Sequence, residues 1–452
     1  MKFSTFYRRR PLLFEFVNPL NKFVKTSAFS GILLMAVTLL ALVMANSPLS
    51  NAYFSFFQRY FTIAFGSFEL SKPLILWIND GLMAVFFFLV GLEIKRETQI
   101  GELSSFKTAA LPAFAALGGM LVPALFYAII NLNSTGLHGW GIPMATDIAF
   151  ALGVLVLLGK RVPLALKLFL TALAIIDDIG AVVVIALFYT SQISINALVI
   201  AVLLFAILLA LNAMKIYRVP IYLVIGTLLW VAMLKSGVHA TVAGILLAVA
   251  IPGRSKRTVD ECVSSNEAVL GRLKDNRDVD DVLDPKRDKK LIAAIYTIGD
   301  NCTHAVSPLL RIENSLHSWV AYFIIPLFAF ANAGIIFNNS LLAEIGSPIS
   351  VGIFAGLVLG KPVGITLFTF LATRLKIAQL PLDVRWKHII GVGLLGGIGF
   401  TMSIFIGNLA FATDPYNIEI AKLGILISSL VAGIVGYLIL YGSGKKIRKS
   451  TA

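Results

Sequence analysis

The sequence predicts an all-α membrane protein with twelve transmembrane helices in inverted-topology repeats, plus one short β-hairpin outside the membrane. Composition, repeated apolar stretches and one-sided basic charge predict this class. Of the 452 residues, 58% are hydrophobic and 14% are charged, and the mean hydropathy is +0.87. Soluble domains average about 45–50% apolar and about 25% charged residues. The composition therefore excludes a water-soluble fold.

Twelve apolar stretches have roughly the length that a bilayer requires. A hydrocarbon core of about 30 Å takes about 20 apolar residues in helical form. In chain order, the predicted spans cover residues 28–45, 74–92, 109–130, 142–158, 164–189, 195–214, 221–234, 238–251, 319–337, 349–371, 389–411 and 420–440. By length alone, the seventh and eighth form either two spans, one long helix or a re-entrant pair.

The basic residues predict the side of the membrane on which each loop lies. Lys and Arg concentrate in cytoplasmic loops, so the basic N-terminal segment is placed inside. With twelve crossings, 33 of the 38 Lys and Arg residues are cytoplasmic, among them Lys95 and Arg96 in a connecting loop, and Lys361 lies within a span. Merging the seventh and eighth spans would move the basic segment 252–318 outside. The seventh and eighth spans are therefore expected to cross the membrane separately, and both termini are expected to lie in the cytoplasm.

This topology divides the chain into five segments. They are a cytoplasmic N-terminal segment (1–27), helices one to eight (28–252), a hydrophilic cytoplasmic connection (253–317), helices nine to twelve (318–441) and a basic cytoplasmic tail (442–452). The net charge of +14 is then a topology signal, and no nucleic-acid partner is expected. The first apolar run follows a long polar segment and is expected to be retained rather than cleaved.

The hydrophilic connection is expected to be a solvated loop of mixed charge with short amphipathic turns. Its cysteines, Cys262 and Cys302, lack the close spacing of a zinc site, and neither is expected to be functional. Between the first two spans, the turn Phe65-Gly66-Ser67-Phe68 with alternating flanks favours a β-hairpin. An interfacial aromatic loop is the equally weighted alternative for residues 46–73.

Five ionisable side chains are expected deep inside predicted spans, where each costs at least about 2.5–3.5 kcal/mol. Such groups usually mark the path of an ion or a proton. They are Asp80, Asp147, Asp177, Asp178 and Lys361. Asp80 lies near the outer interface, so a structural role is equally plausible for it.

Asp177 and Asp178 lie about 20 Å into the fifth span, near the middle of the bilayer. Burial and mutual repulsion both disfavour the charged form of adjacent carboxyl groups. The pair is therefore expected to hold protons or a small cation, but not both. That competition is the chemistry of cation/proton exchange, and it needs no nucleophile, resident metal or cofactor.

The fourth and eleventh spans are predicted to be interrupted. The fourth contains Pro143, Thr146 and Asp147, and the eleventh has five glycines between residues 391 and 399. Interrupted spans in corresponding positions of two halves indicate a transport site, although glycines also serve close helix packing. Half-helix ends carry partial charges, which Asp147 and Lys361 are suited to balance. Lys361 is also a candidate partner for Asp177.

Seven stretches closely resemble the NhaA-type sodium/proton antiporter family, and together they span nearly the whole chain. They are FLVGLEIKRE at 88–97, ATDIAFALG at 145–153, AIIDDIG at 174–180, KSGVHAT at 235–241, PLFAFANAG at 326–334, GKP at 360–362 and GFTMSIF at 399–405. The double aspartate together with the Ala-Thr-Asp segment is the most specific of these matches. The 256–304 tract departs from the family, which often has a short connector there.

The resemblance implies crossed, interrupted fourth and eleventh helices and a homodimer whose contact region includes the hairpin. It implies that Asp177 and Asp178 carry the exchange, with Asp178 as the main ligand of Na+ or Li+ and Thr146 contributing. Asp147 and Lys361 would balance the helix ends. The residues that match the family's pH-sensing positions are Glu93, Arg96, Glu97, Glu313, His317 and, on the opposite side, His239. Asn314 replaces a family histidine, so the family's pH profile cannot be assumed.

The resulting functional prediction is an electrogenic, pH-regulated sodium (lithium)/proton antiporter of the bacterial inner membrane, with no enzymatic activity and no cofactor. The nearest alternative is a sodium-coupled symporter of an organic solute on a similar fold. An intramembrane aspartyl protease needs its two aspartates on different helices, whereas these two are consecutive. A passive cation channel is the remaining alternative.

Overall fold

The computed structural model describes residues 27–66, 68–190, 193–275 and 289–443, and most of them are helical. Four predicted features lie wholly or partly outside these ranges. They are the N-terminal segment up to residue 26, Ser67 at the predicted turn, residues 276–288 of the hydrophilic connection, and the tail from residue 444 onward.

The helices and strands follow one another along the chain as the apolar pattern predicts. The first half comprises α1 (Ser27–Ala45), α2 (Ser50–Gln58), β1 (Tyr60–Phe65), β2 (Phe68–Pro73), α3 (Leu74–Ile100), α4 (Phe106–Ile130), a 3₁₀ helix (Thr135–Met144), α5 (Ile148–Leu157), α6 (Leu164–Phe188), α7 (Ile195–Ala213), α8 (Val219–Ser236) and α9 (Val242–Ala250).

The second half begins with two helices in the hydrophilic connection and continues with long apolar helices. It comprises α10 (Val259–Asp275), α11 (Lys289–Ala305), α12 (Pro308–Asn332), the short α13 (Asn339–Ala343), α14 (Pro348–Arg374), α15 (Trp386–Gly396), α16 (Phe400–Ala410) and α17 (Pro415–Ser443). Helices α3, α12 and α14 each include a π-helical turn.

Eight of the helices in the described ranges are long and apolar enough to cross a membrane. Three bent pairs raise the number to as many as eleven if each pair is one span. Two of these pairs, the 3₁₀ helix with α5 and α15 with α16, correspond to the spans predicted to be interrupted. The eighth predicted span corresponds to α9, which has only 9 residues. Gly237 adopts a left-handed φ of +84° and ends α8 before α9 begins.

The hydrophilic connection is more ordered than predicted. Instead of a loop with short turns, the described residues include two 17-residue helices, α10 and α11, which pack against each other. A capping box starts α10, because the Glu261 backbone N–H donates to Thr258 Oγ1 (3.2 Å) and the Thr258 N–H donates to Glu261 Oε2 (3.0 Å). This Thr-x-x-Glu signal was present in the sequence.

Two boundaries also differ from the predictions. Helix α12 begins at Pro308, well before the predicted start at residue 319. Helix α3 runs to Ile100, so Lys95 and Arg96 lie on a helix rather than in a connecting loop. Hydropathy identifies only the part of a helix that suits hydrocarbon, whereas backbone hydrogen bonding continues into the polar region.

The segment between α2 and α3 forms an antiparallel hairpin. Its register pairs Tyr60 with Pro73 at one end and Phe65 with Phe68 at the other. Gly66 occupies the turn with a φ of +59°, a conformation that glycine adopts without strain. The indole N–H of Trp77 on α3 donates to the Phe61 carbonyl at 3.0 Å. The hairpin is therefore joined to the first turn of the following helix.

Helices α4 and α14 approach closely in the apolar core. A Cβ atom added to Gly118 would lie 2.2 Å from the Gly364 carbonyl oxygen, and one added to Gly364 would lie 2.1 Å from the Gly118 oxygen. Glycine at both positions therefore permits backbone contact, as is common between membrane helices. One turn away, Lys361 is fully buried beside Gly119. This contact brings the lysine of α14 into the protein interior.

Candidate functional site

The two interrupted spans meet at their breaks. The 3₁₀ helix ends at Met144 and α5 begins at Ile148 after a 45° bend, while α15 and α16 are separated by a 46° bend. The backbone N–H of Asp147 donates to the Ile398 carbonyl at 2.7 Å. This bond joins one break directly to the other. Residues of the two interrupted spans, which are far apart in the sequence, therefore surround one buried site.

Asp147 lies at the N-termini of two short helices. Its Oδ1 accepts the Phe150 N–H at 3.0 Å and so caps α5. Its Oδ2 accepts the Thr401 N–H at 3.1 Å and the Thr401 hydroxyl, in the first turn of α16. Helix N-termini carry partial positive charge and unpaired N–H groups, both of which favour a carboxylate. One buried side chain therefore stabilises both half-helices.

The C-terminal ends at the same breaks meet hydrogen-bond donors. The Lys361 ammonium donates to the Met144 carbonyl at the end of the 3₁₀ helix. The Thr146 hydroxyl lies 2.9 Å from the Gly396 carbonyl at the end of α15. Helix C-termini carry partial negative charge, which a cation balances. Asp147 and Lys361 therefore each lie at a helix end whose partial charge is opposite to the charge of the side chain.

Asp177, on α6, is paired with Lys361. Its Oδ2 accepts from Lys361 Nζ at 2.7 Å and from the Thr146 hydroxyl at 2.7 Å. The side chains of the ion pair have 0% exposed surface. Because a hydroxyl has one hydrogen, Thr146 donates either to Asp177 or to the Gly396 carbonyl. The second carboxylate oxygen, Asp177 Oδ1, has no hydrogen-bond partner within the described residues.

Asp178 is the least satisfied buried acid of the site. It is 1% exposed, and neither carboxylate oxygen has a hydrogen-bond partner in the described part of the chain. Asp177, Asp147 and Glu93 lie close enough to repel its negative charge. A buried carboxylate without donors is costly unless it binds a proton or a cation. The chemistry available at Asp178 is therefore reversible binding of a small positive charge.

Five of the residues proposed for pH sensing lie together near the ends of α3 and α12. Arg96 donates to Glu313 Oε1 at 2.6 Å and to Glu97 Oε1 at 2.8 Å. His317 Nδ1 lies 3.8 Å from Glu93 Oε1. Asn314, which replaces a histidine of the family pattern, is exposed on α12. The cluster is a network of ion pairs between two helices.

His239 does not join that cluster. Its Nε2 lies 3.9 Å from Asp80 Oδ1, and Lys72 of β2 donates to Asp80 Oδ2 at 2.8 Å. Its other ring nitrogen lies 2.7 Å from the Thr241 hydroxyl. Asp80, for which a structural role was equally plausible, therefore connects the hairpin to α3 and to the segment before α9.

Sequence reasoning missed Thr401 and a network of three asparagines. Asn332 Nδ2 donates to Asn79 Oδ1 at 2.8 Å, and Asn408 Nδ2 donates to Asn332 Oδ1 at 2.8 Å, which links α12 to α3 and α16. A neutral amide within an apolar span gives no charge signal, so the sequence did not indicate that these three side chains meet. Thr401 lies just after the glycine-rich break and within the GFTMSIF stretch, and a Thr at such a position is suited to binding a carboxylate.

Long apolar helices and ionisable groups at the ends of interrupted helices define an integral membrane protein of the transporter class. The chain belongs to the family described as Na+/H+ antiporter 1, whose profile matches residues 21–440. The predicted family is therefore confirmed, and it is a family of transporters rather than of enzymes.

Curated relatives match over nearly the full length of both chains. The Na(+)/H(+) antiporter NhaA of Oleidesulfovibrio alaskensis is 50% identical over 93% of this chain and 93% of its own. The Na(+)/H(+) antiporter NhaA 2 of Syntrophotalea carbinolica is 47% identical over 93% of this chain and 96% of its own. The Na(+)/H(+) antiporter NhaA of Sulfurimonas denitrificans is 47% identical over 94% and 95%.

Proposed function

We propose that this protein is a secondary active antiporter that exchanges Na+ (or Li+) for protons by alternating access. The observation that carries the proposal is Asp178, a buried carboxylate without a hydrogen-bond donor in the described chain, next to an Asp177 that is held by Lys361. Membership of the Na+/H+ antiporter 1 family and the names of the relatives support the choice of ions. Both ions are cargo, and no cofactor takes part.

In the state without cation, Lys361 neutralises Asp177 and Asp178 holds a proton. Na+ prefers oxygen ligands, as other hard cations do. The two oxygens of Asp178, the free Oδ1 of Asp177 and the Thr146 hydroxyl are the ligands that we assign to it. Binding of Na+ displaces the proton of Asp178 and weakens the pair between Lys361 and Asp177. Protonation on the other side of the membrane releases Na+ again.

Asp147 and Lys361 balance the partial charges of the interrupted helices in the state without cation. Asp147 binds both helix N-termini through backbone hydrogen bonds, whereas Lys361 bonds a helix C-terminus. If Lys361 also gives up a proton when its pair with Asp177 weakens, two protons leave for each Na+ that enters and every cycle moves one net charge. We therefore expect transport to be electrogenic, so that an interior-negative membrane potential drives Na+ export.

We further propose twelve membrane crossings, with the interrupted fourth and eleventh spans crossing each other and α9 as the eighth crossing. Both termini and the segment 253–317 then lie in the cytoplasm of a bacterium, and the hairpin lies outside the inner membrane. A homodimer in the lipid bilayer, with the hairpin in its contact region, completes the proposal. The Arg96 and Glu93 ion pairs at the cytoplasmic side are suited to pH regulation, as is His239 at the outer side.

Sodium-dependent proton movement in proteoliposomes tests the site. Asp178→Asn is expected to abolish the Na+-induced change in the fluorescence of a ΔpH-sensitive dye, because an amide binds neither a proton nor Na+ tightly. Asp260→Asn makes the same chemical change on the exposed part of α10 and is the matched control. Normal Na+ response in purified, folded Asp178→Asn would remove Asp178 from the site.

The rival functions lack comparable support. The three relatives reported above are named Na+/H+ antiporters, not symporters of organic solutes. Asp177 and Asp178 are consecutive on α6, so they do not face each other across a water molecule as an aspartyl protease requires. A channel is distinguished by its flux, which would neither saturate at low rates nor depend on ΔpH.

A further inference from the structure

The helical pair α10 and α11 contains both cysteines of the chain. The base of the pair is closed by the backbone N–H groups of Lys256 and Arg257, which both donate to the His304 carbonyl at 3.2 Å. Cys262 lies one turn into α10, and Cys302 lies in the last turn of α11. Residues separated widely in sequence therefore come together near the closed end of the pair.

The two thiols share one hydrogen-bond donor. Asn266 Nδ2 lies 3.5 Å from Cys262 Sγ and 3.4 Å from Cys302 Sγ. An amide N–H pointing at both sulfurs favours whichever of them carries the negative charge. The arrangement suits two sulfurs that act on each other.

A buried amide network holds Asn266 in the orientation that this requires. Asn301 Nδ2 donates to Asn266 Oδ1 at 2.9 Å and to Ser265 Oγ at 3.0 Å, while Arg257 donates to Asn301 Oδ1. Because its carbonyl oxygen accepts from Asn301, the amide nitrogen of Asn266 faces the sulfurs. Asn301 is only 4% exposed, so this network is internal to the pair.

The two thiols differ in their exposure to solvent. Cys302 is exposed, whereas Cys262 is 8% exposed. Burial and the neighbouring Cys302 thiol raise the pKa of Cys262, while Arg257 and the Asn266 amide oppose this. A dissolved reagent therefore meets Cys302 first, and Cys262 is placed to react second.

We propose that Cys262 and Cys302 form a reversible dithiol/disulfide site whose reaction partner is a small-molecule disulfide such as oxidised glutathione. The Cys302 thiolate attacks one sulfur of the reagent, which forms a mixed disulfide and releases one glutathione thiolate that takes up a proton. The Cys262 thiolate then attacks Cys302 Sγ, forms the S–S bond and releases the second glutathione. The two cysteine thiols lose two electrons in total, and the reagent gains them.

The proposed disulfide links α10 to α11 shortly before α12 begins at Pro308, and the Leu309 N–H of α12 donates to the carbonyl of Pro252, which follows α9, at 3.3 Å. In a reducing cytoplasm both groups stay as thiols, and the site responds only when the pool of small disulfides rises. The proposal concerns α10 and α11 alone and stands independently of the ion-exchange function.

The test is oxidation of the purified full-length protein in detergent with a glutathione buffer, followed by denaturation, alkylation of free thiols and mass measurement. The wild type is expected to lose both alkylation sites, to carry no glutathione and to remain unlinked to a second chain. Cys262→Ser is expected to retain one glutathione on Cys302, because the resolving thiol is missing. Dithiothreitol should restore both free thiols in the wild type.

A variant with a displaced thiol is the matched control. Combining Cys302→Ser with Thr303→Cys retains two thiols but turns one of them about 100° around α11. Its intramolecular disulfide is expected to form at least about tenfold more slowly, because the moved sulfur no longer lies beside the Asn266 amide that also contacts Cys262 Sγ. Two free thiols in the oxidised wild type, equal rates in wild type and displaced variant, or disulfides only between chains would each overturn the proposal.

Discussion

Replacement of Lys361 by Met removes one half of a fully buried ion pair, and we expect it to destabilise the protein more than removal of both halves. Lys361 Nζ lies 2.7 Å from Asp177 Oδ2, and both side chains have 0% exposed surface. Met is unbranched and follows the path of the lysine stem without a new clash. The variant therefore isolates the loss of the charge and its hydrogen bonds.

Deleting one partner of a buried ion pair costs about 3–5 kcal/mol, because the other charge is left unpaired. In this site the Thr146 hydroxyl still donates to Asp177, and the carboxyl can take up a proton. We therefore expect the lower end of the range, about 3 kcal/mol. The double replacement Lys361→Met with Asp177→Asn leaves no unpaired charge, so about 2 kcal/mol of this loss should return. Both variants lose the donor to the Met144 carbonyl, which cancels in the comparison.

Thermal unfolding in detergent, followed by a change in intrinsic fluorescence, ranks the wild type, Lys361→Met and the double variant under one scan rate. The order expected is wild type, then the double variant, then Lys361→Met, with the last clearly separated from the other two. A double variant no more stable than Lys361→Met would show that the two charges do not stabilise each other. A Lys361→Met protein as stable as the wild type would contradict the burial argument itself.

Three further outcomes follow from individual contacts. Asp147→Ala removes the acceptor at two helix N-termini and should cost about 2–4 kcal/mol, with Asp147→Asn less harmful; the same unfolding assay checks the order. Gly118→Ala forces a methyl group against the Gly364 carbonyl and should lower the free energy of unfolding by about 1–3 kcal/mol. Gly271→Ala is the control: its methyl group would meet no described atom within 4 Å, so this change should be neutral or slightly stabilising. Because burial raises the pKa of the Cys262 thiol, disulfide closure should still accelerate above pH 8.5, and a rate that levels off at lower pH would contradict that direction.

Much of the membrane fold was predictable because its signal is local. Each long apolar helix satisfies its own backbone hydrogen bonds, so a stretch of apolar residues predicts a helix without knowledge of its neighbours. The interruption of the fourth span near Thr146 and the weakness of the glycine-rich eleventh span were also predicted from local sequence, and both spans are bent in the structure. The polar helices α10 and α11 are not visible in the hydropathy of the sequence. The capping box that begins at Thr258 was the sequence signal for the start of α10.

The sequence by itself determined that acidic groups lie where water is scarce, which family the chain belongs to and where two spans are interrupted, because burial cost and backbone interruption are properties of single segments. Only the tertiary structure decided which groups meet: Asp147 with the N-terminus of α16, Lys361 with Asp177, and Asn266 with Cys302. These contacts join residues distant along the chain, and their geometry depends on how helices pack. Hydropathy measures the cost of burying a charge, but only packing decides which partner offsets it.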